Sequence, residues 1–203
     1  KLVREGLRCP IITTSPSKAL AEIILEDSGE IQEEDAKYKR KRHRKEGRTP
    51  PRPVEPLYTS KDVKVALPLM KSVAYGEPVA LNDQVSVTYH EAGHILGSAM
   101  LEIHATVASD PPVGRTIVFS GDIGQWDQPI INDPAIIEKA DYIVMESTYG
   151  NRNHPNHEGV PEQLEKVITA AVEAGGNVVI PTFAVERAQD LLYHLGQLTR
   201  EKR

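Results

Sequence analysis

One cysteine, one tryptophan and two phenylalanines in 203 residues leave this sequence short of the groups that staple or anchor a small fold. With Cys9 alone, an internal disulfide framework and a cysteine-based zinc finger are excluded. Aromatic residues make up only 5% of the chain, so a core has to be assembled from Ile, Val, Leu and Ala. No apolar run approaches the ~18 residues that a membrane-spanning helix needs. KLVREGLRCP, at the start, lacks the apolar stretch of a secretory signal, and a reducing, cytoplasmic setting is the expectation. No internal repeat is found. The length suits one ordinary domain, or one and a fraction.

Charge is present in abundance but unevenly placed. The net charge is −5, yet residues 37–52 hold nine Lys/Arg against one Glu. Just before them, EDSGEIQEED at 26–35 carries six acids and no base. An acidic block running into a basic one that ends in Pro50, Pro51 and Pro53 reads as an exposed excursion. SKALAEIILED, after Ser15 and Pro16, predicts one helix, and Asp35–Lys45 a second.

Beyond the excursion the pattern is α/β. A helix is expected from Thr59 through Met70. Strands are expected at Gln84–Tyr89, Ser98–Val107, Thr116–Ser120, Tyr142–Glu146 and Val178–Pro181. Helices are expected at Asp133–Lys139, at Glu162–Ala174 before Gly175-Gly176, and at Val185–Leu198. Short strands alternating with helices indicate layered α/β packing.

Three strand ends carry polar groups: HEAGH after QVSVTY, SGD after TIVF, and ESTYG after YIVM. A strand end fixes a side chain while its loop exposes it, which suits catalysis. His90-Glu91-Ala92-Gly93-His94 matches the zinc-protease pattern, but that pattern works only on a helix, where positions i and i+4 share a face. Here a strand feeds into it and Gly93 lies inside it, which argues against a helix. Asp122 in a Gly-Asp-x-Gly turn is either a structural turn residue or a metal-bridging carboxylate.

AGHILGSAMLEI, IVFSGDIG, ADYIVMESTYGNRNH and GGNVVIPTFAVERAQDLLYHL, in this order, resemble the metallo-β-lactamase-fold ribonucleases that carry a β-CASP domain. The likeness is nearest to prokaryotic relatives of the nuclease subunit of the cleavage and polyadenylation specificity factor; ribonuclease J is a more distant cousin. The resemblance implies an α/β fold. Residues 1–155 would form part of an αββα metallo-β-lactamase sandwich, lacking its N-terminal part, and residues 156–203 the beginning of the β-CASP domain. It also implies a hydrolase of RNA phosphodiester bonds that uses two zinc ions. His94 looks like a ligand of one zinc, and Asp122 like the carboxylate that bridges both. Glu146 looks like the acid that orients a proton-donating histidine. His90 and Glu91 are candidates to orient His94 from behind, or simply face solvent.

The family's principal zinc motif, His-x-His-x-Asp-His, does not occur here, and the chain is expected to be an internal piece of a longer protein. His94 and Asp122 supply fewer than the three protein donors a catalytic zinc takes. Weak zinc binding and no activity are therefore expected of the isolated chain. Lys39, Arg40, Lys41, Arg42, Arg44 and Lys45 are candidate RNA contacts, against a solvated helix that balances the acidic block. Arg152 and His154, in NRNHPNHEG with His157, are candidates to line the cleft. His104 reads as a half-buried structural histidine. RNA is the expected partner, no membrane is expected, and a homodimer is the expected assembly of the whole protein. Two alternatives stay open: a non-catalytic RNA-binding scaffold, and a hydrolase of small esters or thioesters on the same fold. Whether cleavage is internal or proceeds from the 5′ end is not legible.

Overall fold

The structure, a computed structural model, describes residues 1–109, 111–153 and 159–202. It is α/β, with helices and mixed parallel and antiparallel strand pairing. The chain divides into two compact units, residues 1–89 and 90–203.

The first unit is organised by one long helix. Strand β1 (Ile11–Thr14) leads directly into α1 (Ser15–Lys45), where Thr14 accepts a hydrogen bond from Ser17 N–H at 3.3 Å. The two helices expected on either side of the acidic block are thus one helix of 31 residues. Like charges weaken a helix without breaking it, and no proline interrupts the segment between Ser17 and Lys45. Arg42, His43, Arg44 and Lys45 occupy the last turn, where positive charge meets the negative end of the helix dipole. The returning chain is laid along α1 by Arg40, which donates to the Val54 carbonyl at 3.1 Å, and by Gln32, which accepts from Leu57 N–H at 3.1 Å.

Helix α2 (Ser60–Ala66) begins with a capping box: Thr59 Oγ1 accepts from Asp62 N–H, and Asp62 accepts from Thr59 N–H at 2.8 Å. These bonds hold the Asp62 carboxyl below the usual carboxylate range. The helix stops at Ala66, short of the expected Met70, because Pro68 follows and the chain tightens into a single 3-10 turn. Met70 opens strand β2 (Met70–Val73), parallel to β1. Strand β3 (Pro78–Asn82) pairs antiparallel with β4 (Val85–Glu91). Tyr89 donates its hydroxyl to the Ile12 carbonyl at 3.0 Å, and burial pushes its pKa up. Val3, Ala36, Val63, Met70 and Val87 are buried in this unit.

The second unit takes the last two residues of β4, then β5 (Ala99–Val107), β6 (Val113–Phe119) and β7 (Tyr142–Val144). β5 and β6 are antiparallel, and β6 and β7 parallel, with Phe119 opposite Val144. Burial concentrates at one end of this pairing, at Met100, Val118 and Ser120. Helices α3 (Val160–Glu173) and α4 (Arg187–Arg200) complete the unit.

Two expected elements do not form. Residues 133–139 have helical spacing but run without helix, because Ala135 N–H is spent on the Glu91 carbonyl at 2.8 Å. Residues 178–181 have the composition of a strand but no partner strand among the described residues, and a strand exists only in a ladder. No described helix is long and apolar enough to cross a membrane.

Candidate functional site

The segment after β4 is the first component. HEAGH is not a helix: β4 continues through His90 and Glu91, and the chain then turns through Gly93 at φ +61°. That removes the zinc-protease arrangement. Ser98 ties the loop, its Oγ accepting from His94 N–H at 3.1 Å and from Ile95 N–H at 3.3 Å. Glu91 Oε1 accepts from Gly93 N–H at 3.2 Å. A side chain at Gly93 would press within 2.7 Å of Pro134 Cδ. That close packing keeps residues 133–139 out of a helix, against their helical spacing.

The second component is the turn after β6. Gly124 N–H donates to the Ala92 carbonyl at 2.9 Å, and a Cβ at Gly124 would overlap the Gly93 carbonyl and lie 2.6 Å from His94 N. The glycine of Gly-Asp-x-Gly therefore lets this turn lie flat against the peptide that carries His94. Asp122, two residues earlier, is thereby brought to His94: Nε2 and Oδ2 are 3.7 Å apart.

The third component follows β7. The parallel ladder continues past the strand ends, with Ser120 N–H donating to the Val144 carbonyl at 2.9 Å. Glu146 N–H then donates to Ser120 Oγ at 3.3 Å. Glu146 Oε1 accepts from Ile123 N–H at 2.9 Å, which ties it to the residue after Asp122. That bond and one from the Thr148 hydroxyl hold the Glu146 carboxyl below the usual glutamate range, with the nearby His94 adding to the effect.

His94, Asp122 and Glu146 therefore line one cleft of about 290 Å³. Sequence reasoning missed a fourth contributor, Glu186, which lines it as well. Glu186 is 6% exposed and has φ +70° and ψ −65°. Arg187 N–H donates to the Val185 carbonyl at 3.0 Å across it, closing a γ-turn of the rare positive-φ form. Such backbone costs a non-glycine residue about 1–3 kcal/mol. Burial pushes the Glu186 carboxyl up; the Asp190 charge adds to this, while a bond from Leu96 N–H opposes it. The sequence carries no local signal for Glu186, since the γ-turn shows only in the backbone angles.

The remaining candidates that are described do not line this cleft. His90 Nε2 is 2.6 Å from Glu102 Oε2, and the other oxygen of Glu102 is 3.0 Å from His104 Nε2. His104 is more exposed than expected and also contacts the Thr116 hydroxyl at 3.0 Å. Arg152 stacks over the Tyr149 ring, 4.5 Å from its centroid. His154 and His157 lie outside the described residues. Lys39, Lys41, Arg44 and Lys45 are exposed on α1 of the first unit, beside Arg40 and Arg42; Arg42 pairs with Glu46 at 2.8 Å.

Two donors on one zinc, each ~2.1 Å from it in tetrahedral geometry, lie roughly 3.4 Å apart. The 3.7 Å between His94 and Asp122 is close to that spacing. The set stops there: among the described residues no group of three His, Cys, Asp or Glu is placed to hold a metal ion. The pair fits a share of a metal centre and does not complete one.

No family model matches the chain. Comparison with curated proteins does. Ribonuclease TTHA0252 of Thermus thermophilus is 36% identical over 196 residues, 96% of this chain and 38% of that protein. The chain belongs to the β-CASP family of metallo-β-lactamase-fold ribonucleases. Transcription termination factor FttA of Methanocaldococcus jannaschii is 29% identical over 198 residues, and RNase aCSPSF2 of Saccharolobus solfataricus 35% over 139. These matches cover 94% and 67% of this chain, but 27% and 26% of the two relatives. The chain thus spans between a quarter and two fifths of the β-CASP relatives it matches. Metallo-β-lactamase-fold β-CASP nucleases generally use metal ions.

Proposed function

We propose that the whole protein containing these residues hydrolyses RNA phosphodiester bonds, and that this chain supplies one wall of the cleft where it does so. One observation carries the reading: three strand-end loops bring His94, Asp122 and Glu146 to one cleft, and Gly124 lies flat against the His94 peptide. In this reading residues 1–155 belong to the αββα metallo-β-lactamase part and residues 156–203 open the β-CASP part. His94 and Asp122 would contribute two protein donors to a two-zinc centre completed by residues beyond this chain. Such a centre supplies a strong nucleophile at neutral pH.

The chain's own residues do the positioning. Glu146 has one oxygen on Ile123 N–H, so it holds the Asp122 turn in place. It also keeps a negative charge in the cleft down to unusually low pH, available to orient a proton donor brought by the rest of the protein. The basic end of α1 would gather RNA through its phosphates. A cytoplasmic homodimer acting on RNA is the corresponding whole-protein picture.

The test separates the two carboxylates in the whole protein. Asp122→Asn should lose bound metal and RNA cleavage together. Glu146→Gln should keep its metal content, measured by inductively coupled plasma mass spectrometry, and cleave about 10²–10⁴-fold more slowly. Equal metal loss in both variants would refute this division. An intact, metal-loaded protein that leaves every RNA uncut would refute the nuclease reading and favour the RNA-binding scaffold.

A further inference from the structure

Among the described residues, Glu186 Oε1 is buried without a hydrogen-bond partner, and so is Asp190 Oδ1, one turn along α4. Both residues line the cleft with His94, Asp122 and Glu146. The Glu186 carboxyl also accepts from Leu96 N–H, which restrains the side chain of a residue that lines the cleft.

A buried acceptor left alone is unfavourable, and one kept in a rare backbone conformation is more so. Glycine would make the same turn without strain. The position therefore keeps a carboxylate against a local preference, which is the pattern of a group held for a ligand. A buried carboxylate oxygen takes a hydrogen-bond donor as its partner. A phosphodiester offers none. The ribose beside it does, because each nucleotide of RNA carries a 2′-hydroxyl that DNA lacks. Arg187 adjoins Glu186, lines the same cleft and lies 3.6 Å from Asp190, so a guanidinium offsets the repulsion between these carboxylates and a nearby phosphate.

We infer that Glu186 is a specificity-determining residue: its carboxylate accepts the 2′-hydroxyl of a ribose beside the scissile phosphate and so distinguishes RNA from DNA. This rests on the ribonuclease reading above and deepens it.

The experiment uses the whole protein and a short RNA cut at one place. The nucleotides on either side of the cut are changed one at a time from ribose to 2′-deoxyribose and to 2′-fluororibose, and kcat/KM is measured for each. At one of the two positions the wild type should lose about ten- to a hundredfold with either change, the range for one hydrogen bond to a charged group. The 2′-fluoro sugar keeps the RNA-like pucker but cannot donate, so its loss isolates the hydrogen bond from sugar shape. In Glu186→Gly, whose backbone tolerates φ +70°, the ribose-to-deoxyribose ratio at that position should fall towards one. Wild-type rates that ignore both changes would overturn the inference while leaving the nuclease reading standing, and they require no variant. Full discrimination in Glu186→Gly would overturn it too, and would instead point to the 2′-hydroxyl acting as the attacking group. Failure of the wild type to cut even the all-ribose strand would remove the nuclease reading together with the inference.

Discussion

At the scale of single residues, the site is set by what is left out. Gly124 has no side chain, and that alone allows the Asp122 turn to reach the His94 peptide. Gly124→Ala should therefore behave unlike an ordinary loop substitution. The clash is with backbone, which no rotamer change relieves, and overpacking of this kind costs about 1–3 kcal/mol. For a chain of this size that is several degrees of melting temperature. Gly114→Ala is the control, because no described residue lies within 4 Å of a Cβ there. Calorimetry should find Gly124→Ala clearly less stable and Gly114→Ala near wild type; equal melting temperatures would mean that the close approach is not real. The sequence made His94, Asp122 and Glu146 legible, because each ends or follows an apolar β-branched run. It left Glu186 unread, because nothing local announces that a glutamate lies in a γ-turn.

At the scale of elements, the misreadings have physical causes. The abrupt change from acidic to basic in 26–52 suggested separate elements, yet α1 runs through it, because backbone hydrogen bonding ignores the sign of solvated charges. Residues 133–139 and 178–181 failed the other way: good local patterns were overruled by the Gly93–Pro134 packing in one case and by the lack of a pairing strand among the described residues in the other. Helix α2 was readable to its cap but not beyond Pro68. That cap makes its own prediction. Thr59→Ala removes one acceptor of the capping box and should cost about 1 kcal/mol. Thr59→Ala and Asp62→Ala combined should cost less than the sum of the two measured by urea denaturation, since each bond orients the other. Strict additivity would show that the two bonds act independently.

At the scale of the whole molecule, the basic end of α1 is the feature open to a solution test. Lys39, Lys41, Arg44 and Lys45 are exposed, and no ion pair among the described residues engages them, whereas Arg42 is already paired with Glu46. Replacing those four by Gln in the whole protein should weaken RNA binding. It should also flatten the slope of log K against log salt, by about 0.7 for each single-strand phosphate that is no longer neutralised. Arg42→Gln should change the slope less. A slope unmoved by the fourfold change would assign the basic run to solvation alone.

The length of α1 gives that charge pattern a direction. At ~1.5 Å per residue, 31 residues make a rod roughly 46 Å long. Its middle is acidic and its far end basic, so the helix carries a permanent electric moment well beyond that of its peptide groups. In the field of a polyanion such a rod feels a torque as well as a pull. It turns its basic tip forward and its acidic stretch away once it comes within about a Debye length, before the two touch. The collision rate is then governed by how the molecule arrives, and the same number of charges scattered along the helix would attract as strongly but orient nothing.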